Sequence, residues 1–80
     1  MTGTKKLPLL PARKLINALL RLGFYIDHQK GSHIVLKSAD DTRTIVVPDH
    51  PEIDRGTLKA ILKQAGIDVK ALLEVLVLLR

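Results

Sequence analysis

An α+β sandwich is the fold class this sequence predicts: one helix, a three-stranded antiparallel sheet, then two helices, all packed on one face of that sheet. Three observations lead there. The 80 residues are 46% apolar and 26% charged, enough for one core and too apolar for a disordered chain. The spacing of the apolar positions changes along the chain from helical to alternating and back to helical. Glycine or proline stands at most of these changes. Phe24 and Tyr25 are the only Phe, Tyr or Trp residues, so the core must be built from Leu, Ile and Val. At this length folding hides roughly 60–65% of the surface of the unfolded chain, which suits a single domain over 1–80.

Residues 1–9 read as an N-terminal tail, loosest over 1–6. Pro11 suits a first helical turn, where its missing N–H costs nothing. Leu15, Ile16, Leu19, Leu20 and Leu22 follow at helical spacing, so the first helix covers about 11–22 and ends at Gly23, with Phe24 folding back behind it. The stretch 24–30 alternates, with Phe24, Ile26 and His28 on one side and Tyr25, Asp27 and Gln29 on the other. On this pattern the His28 ring is expected to be partly buried and satisfied by backbone. Lys30 and Gly31 make a tight turn into a strand over 32–37, in which Ser32, Ile34 and Leu36 point one way and His33, Val35 and Lys37 the other. With Ile34 and Leu36 against the helices, His33 and Lys37 lie on the open face. A polar hairpin loop over 38–42 leads to a third strand over 43–47, stopped by Pro48.

After a loop over 49–53, Asp54 caps a helix over 55–65 whose Leu58, Ile61, Leu62 and Ala65 share one face. Gly66 closes it. Asp68 caps a last helix over 69–79, within a leucine-rich C-terminal extension over 68–80. That helix carries more apolar residues than one stripe requires; they either lie in a groove of their own domain or mark a partner surface.

The composition excludes whole classes of function. With no cysteine there is no disulfide, no thiol chemistry and no cysteine-ligated metal. The polar start does not resemble a signal peptide, and the longest apolar region is far too short to span a bilayer, so a cytoplasmic protein without membrane contact is expected. Thirteen Lys and Arg against eight Asp and Glu leave a net +5. That excess favours an anionic partner such as nucleic acid, although it also serves solubility or an acidic protein partner. So few aromatics argue against a base-stacking platform and for contacts to the nucleic-acid backbone.

Histidine is the side chain that ordinarily titrates near neutral pH, and His33 stands out among His28, His33 and His50. It follows Gly31 and Ser32 at a hairpin, where a residue without Cβ lets a phosphate backbone come close, and Lys30 and Lys37 are at hand to hold that phosphate. The alternative is a polar strand residue beside a turn. His50 lies in a Pro48-Asp49-His50-Pro51 turn. His33, Asp49 and His50 follow no short ligand spacing, so no metal site is expected. Lys59 and Lys63, four apart on the second helix, form either a solvated face or a phosphate-contacting stripe.

Taken in order, Leu22-Gly23-Phe24, Lys30-Gly31-Ser32-His33, Val47-Pro48-Asp49-His50 and Gly56-Thr57-Leu58 through Ile61 to Ile67 resemble the HicA/YcfA toxins over about residues 10–67. The resemblance implies an α-β-β-β-α fold like that of double-stranded-RNA-binding domains, here with an extra C-terminal helix. It implies an endoribonuclease that cleaves mRNA and is neutralised by a HicB-like antitoxin. It makes His33 the catalytic histidine, Gly31 and Ser32 the residues that shape its turn, and His50 a histidine after the family's proline. Ile34 departs from the pattern, since many members carry histidine or an aromatic there. The chemistry is compatible with the residues: a ribose 2′-OH can serve as nucleophile without metal or cofactor, given a proton acceptor such as His33 and cations for the crowded phosphate. Lys30, Lys37, Arg43, Lys59 and Lys63 are the expected RNA-backbone contacts. A non-catalytic RNA-binding module on the same fold, or a protein-interaction subunit working through its leucine-rich C-terminus, are the competing expectations.

Overall fold

A computed structural model describes residues 7–79; the loose tail expected over residues 1–6 lies outside them. The elements are α1 (Ala12–Arg21), β1 (Phe24–Lys30), β2 (His33–Ser38), β3 (Thr44–Pro48), α2 (Arg55–Ala65) and α3 (Val69–Leu78). The strands form one antiparallel sheet in the order β1-β2-β3, so the α+β, dsRBD-like architecture read from the sequence is the fold observed. Pro11 sits just before α1 as its N-cap rather than inside the first turn.

Alternation explains which face of the sheet meets the helices. Ile34, Leu36, Ile45 and Val47 are all buried, and they pack with Leu15, Ile16 and Leu19 of α1 and Leu58, Ile61 and Leu62 of α2 in one aliphatic core. Both caps read from the sequence form: Asp54 accepts from the Thr57 N–H at 2.8 Å and Asp68 from the Ala71 N–H at 2.8 Å, each satisfying a donor the helix leaves open. At the far end of α2, Gly66 turns left-handed (φ +71°) and the Ile67 N–H returns to the Leu62 carbonyl at 3.0 Å.

Residues 7–10 are held against the domain. Arg55 Nε donates to the Leu7 carbonyl at 2.7 Å, and Leu10 bridges Ile53, whose N–H meets the Leu10 carbonyl at 2.7 Å. The C-terminal helix divides its leucines. Leu72 is fully buried and Leu76 and Leu79 pack on the core, while Val77 (62% exposed) and Leu78 (73%) face outward beside a groove of about 470 Å³ between the 8–10 segment, α1 and α3. No helix among the described residues is long and apolar enough to cross a membrane.

The β2–β3 loop is organised by one carboxylate. Asp40 accepts from Ser38 Oγ (2.7 Å), Thr42 Oγ (2.7 Å) and the Thr42 N–H (3.1 Å). The Ser38 bond first, then those from Thr42, pull its pKa from the usual 3.8 to about 2. A carboxylate with a lowered folded-state pKa contributes stability that is fully present above its unfolded pKa and is lost as pH falls toward the folded one. The loop should therefore hold its bonds at pH 4 and loosen only as pH approaches 2. A carboxyl-carbon NMR titration should place the Asp40 midpoint near 2, moving together with the Thr42 amide; a midpoint at the usual 3.8 would contradict this arrangement.

Candidate active site

One irregularity in β1 builds the open face. Phe24, Tyr25 and Ile26 pair with Ser38, Lys37 and Leu36, but the next partners are His28 with Val35, Gln29 with Ile34 and Lys30 with His33. Asp27 is the extra residue of a β-bulge, and it shifts every later side chain of β1 to the opposite face. Cross-strand partners share a face. The open face therefore carries three rows: Lys30, His33 and Pro48; then His28, Val35 and Val46; then Tyr25, Lys37 and Thr44.

This corrects one sequence expectation. His28 does not share a side with Phe24 and Ile26, and its ring is not partly buried or held by backbone. Its side chain is 55% exposed, with Nδ1 2.7 Å from Asp27 Oδ2, and this bond lowers the Asp27 pKa below the usual carboxylate range. Strict alternation fails because the bulge adds one residue. The same shift brings Lys30 onto the face of His33.

His33 opens the central strand, exposed and directly opposite Lys30 across a two-residue turn. Gly31 holds φ at +58° there, the glycine position of a tight hairpin, and a Cβ at Gly31 would meet nothing within 4 Å. The turn is thus open to an approaching backbone. Directly opposed Cα atoms lie about 4.5–5.5 Å apart, whereas Lys37 is four residues along β2, about 13 Å from His33 at ~3.3 Å per residue. Lys30 and His33 can therefore reach one shared anion, whereas Lys37 stands apart from them on the same face.

The loop after β3 is tied to the same end of the sheet. The Asp49 N–H donates to the Ser32 carbonyl at 2.7 Å, and the His50 carbonyl accepts from the Ala12 N–H at 3.0 Å. These bonds bring the His50 backbone, the His33 turn and the start of α1 together. Among the described residues the only ion pair is that of His28 with Asp27, so Lys30, Arg13 and Lys14 have no carboxylate in salt-bridge contact; Lys37 makes none either, although its charge helps to lower the Asp27 pKa. No three His, Asp or Glu side chains among them gather as metal ligands.

The other candidate cations stand elsewhere. Arg43 lies at the opposite end of the sheet, where its Nη1 donates to the Gln64 carbonyl at 3.2 Å and the guanidinium occupies the space beside Gly66, fastening the hairpin loop to the end of α2. Lys59 and Lys63 are exposed on the outer surface of α2, in the helical layer. Sequence reasoning missed Arg13, Asn17, Gln29 and Asp49, which line a cleft on the helix side of the same sheet end. The one available signal was the polar pair Arg13 and Asn17, four apart on either side of Ile16.

A model of the family described as HicA toxin of bacterial toxin-antitoxin matches residues 12–67, from the first residue of α1 to just beyond the end of α2, leaving α3 outside. No curated protein matches the chain.

Proposed function

Because the chain belongs to the family of HicA toxins of bacterial toxin–antitoxin systems, we propose that it acts as an endoribonuclease on mRNA, with His33 as its acid–base group, and is silenced by a HicB-like antitoxin. Membership itself makes it the toxin of such a pair and implies an antitoxin partner. The observation that carries the finer reading is the row Lys30–His33, an exposed imidazole and an unpaired ammonium side by side at an open glycine turn.

The chemistry is transesterification. The His33 ring takes the proton of a ribose 2′-OH, and that oxygen attacks the adjacent phosphorus. Lys30 stabilises the charge gathering on the non-bridging oxygens. The bond from phosphorus to the 5′-oxygen breaks, leaving a 2′,3′-cyclic phosphate on one fragment, and the departing oxygen takes a proton from water to become a 5′-hydroxyl. Lys37 adds a cation farther along β2, and His50, in the loop after β3, adds a further RNA contact at the His33 end. An antitoxin would silence the toxin by laying an acidic or apolar surface over His33 and this face.

The test is cleavage of a long single-stranded RNA in EDTA, together with binding of the same RNA to the His33→Ala protein as salt is raised. Wild type should cleave. The variant should bind with a log–log salt slope that shrinks by about 0.7 when Lys30 is also replaced by Gln, the value for one single-strand phosphate contact. RNA left intact by wild type but bound in this salt-sensitive way would favour the non-catalytic module, and affinity indifferent to salt would remove RNA as the partner.

A further inference from the structure

On the helix side of the sheet, at the His33 end, lies a cleft of about 330 Å³ lined by Arg13, Ile16, Asn17, Ile26, Gln29, Ile34 and Asp49. We infer that it receives a guanine base of the bound RNA, next to the cleaved bond. This rests on the ribonuclease reading for its substrate class, but its geometry is independent of His33.

The cleft has the parts a base site needs. Ile16 and Ile34 form an apolar floor, and Ile26, 49% exposed on the edge strand, supplies an apolar wall that is otherwise unexplained. The volume is at the small end for ligand clefts, roughly 300–1,000 Å³, which suits one base better than a whole nucleotide. Arg13 and Asp49 both line it yet form no ion pair, so opposite charges face a shared space without closing it.

A base that fills such a space must offer acceptors to the arginine and donors to the carboxylate. Guanine does both: O6 and N7 accept a two-pronged bond from a guanidinium, while N1–H and the 2-amino group donate to a carboxylate. Guanine alone offers two adjacent acceptors followed by two adjacent donors: cytosine follows its acceptors O2 and N3 with only the 4-amino donor, adenine sets a single acceptor, N7, beside its 6-amino donor, and uracil has the single donor N3–H between two carbonyls. Gln29 adds a fixed acceptor, because its Nε2 is committed to the Gly31 carbonyl at 3.0 Å, which settles the orientation of the amide. The cleft is also connected to the reaction centre. Gln29 and Ile34 form the row next to Lys30 and His33 on the other face, and the Asp49 N–H is bonded to the Ser32 carbonyl. An RNA backbone crossing the open turn at Gly31 thus puts one phosphate by His33 and a neighbouring base over the edge of the sheet.

The decisive experiment is an amide NMR titration of the His33→Ala protein with the 5′-monophosphates of guanosine, adenosine, cytidine and uridine. All four carry the same phosphate, so differences report the base, and cleavage plays no part. GMP should bind about tenfold more tightly than the others, shifting the amides of Asn17, Gln29 and Ile34, and Asp49→Asn should abolish that preference. Arg13→Gln, on an exposed helical position, should do the same without unfolding the protein. Equal affinities, or shifts confined to the open face, would overturn the inference. Cleavage maps give the second reading: wild-type cuts without a neighbouring guanine count against the cleft, whereas RNA that is never cut counts only against the ribonuclease reading, with the titration still deciding the cleft.

Discussion

Replacing His33 by alanine should lower RNA cleavage by a factor of roughly 10² to 10⁴, the usual contribution of a positioned proton-transfer group. The fold should not notice, because the ring is exposed and substitutions at such positions change stability by no more than about 0.5 kcal/mol. RNA affinity should also stay within a few-fold, since Lys30, Lys37 and the start of α1 remain. This combination separates catalysis from binding: if His33→Ala cleaves as fast as wild type, the acid–base role is lost, and if it binds RNA no better than an unfolded control, the defect is structural. His33→Gln tests the same point with a side chain that keeps polarity and size but cannot take up a proton at neutral pH.

Leu36→Ala should remove roughly 2–5 kcal/mol of stability, the range for emptying a fully buried leucine site. Leu36 is at the middle of the central strand, completely buried, with Ile26 opposite on one side and Ile45 on the other. A domain of this size holds only about 5–15 kcal/mol in all, so the variant should unfold at much lower urea and be partly unfolded when warm. Val46→Ala provides the contrast. Val46 lies on the open face and is 41% exposed, and its loss should cost less than about 1 kcal/mol. Similar losses at the two positions would mean that both faces of the sheet are covered.

The two substitutions sit on opposite faces of one strand, and the sequence made that division readable. Ile34 and Leu36 need burial, so His33, Val35 and Lys37 must face away, and the structure places them so. The caps Asp54 and Asp68 were equally legible, because a cap bonds an N–H three residues along the same chain. The bulge at Asp27 was not. The stretch 24–30 alternates without a break, and the added residue exists only relative to the pairing of β1 with β2. From that one event follow the exposure of His28 and the alignment of Lys30 with His33. Arg43 was hidden for a similar reason: its bond to Gln64 spans 21 positions and depends on where α2 ends. The cleft residues Arg13, Asn17, Gln29 and Asp49 come from three separate elements, and only the crossing of α1 over the sheet gathers them.

The bulge acts only beyond Ile26, where the shifted register sets a cation beside the histidine. A β1 without it would bury His28 and turn Lys30 toward the helices, away from His33. The candidate site thus depends on a local departure from the regular sheet.

The most direct measurement of the central claim is the chemistry of the ends that wild-type protein leaves on a short RNA of defined sequence, read by mass spectrometry in the presence of EDTA. Attack by the neighbouring 2′-OH predicts a 2′,3′-cyclic phosphate on the upstream fragment and a 5′-hydroxyl on the downstream one, both absent with His33→Ala. A 3′-hydroxyl paired with a 5′-phosphate would mean that water, not the ribose, is the nucleophile, and would contradict the role assigned here to His33 and Lys30.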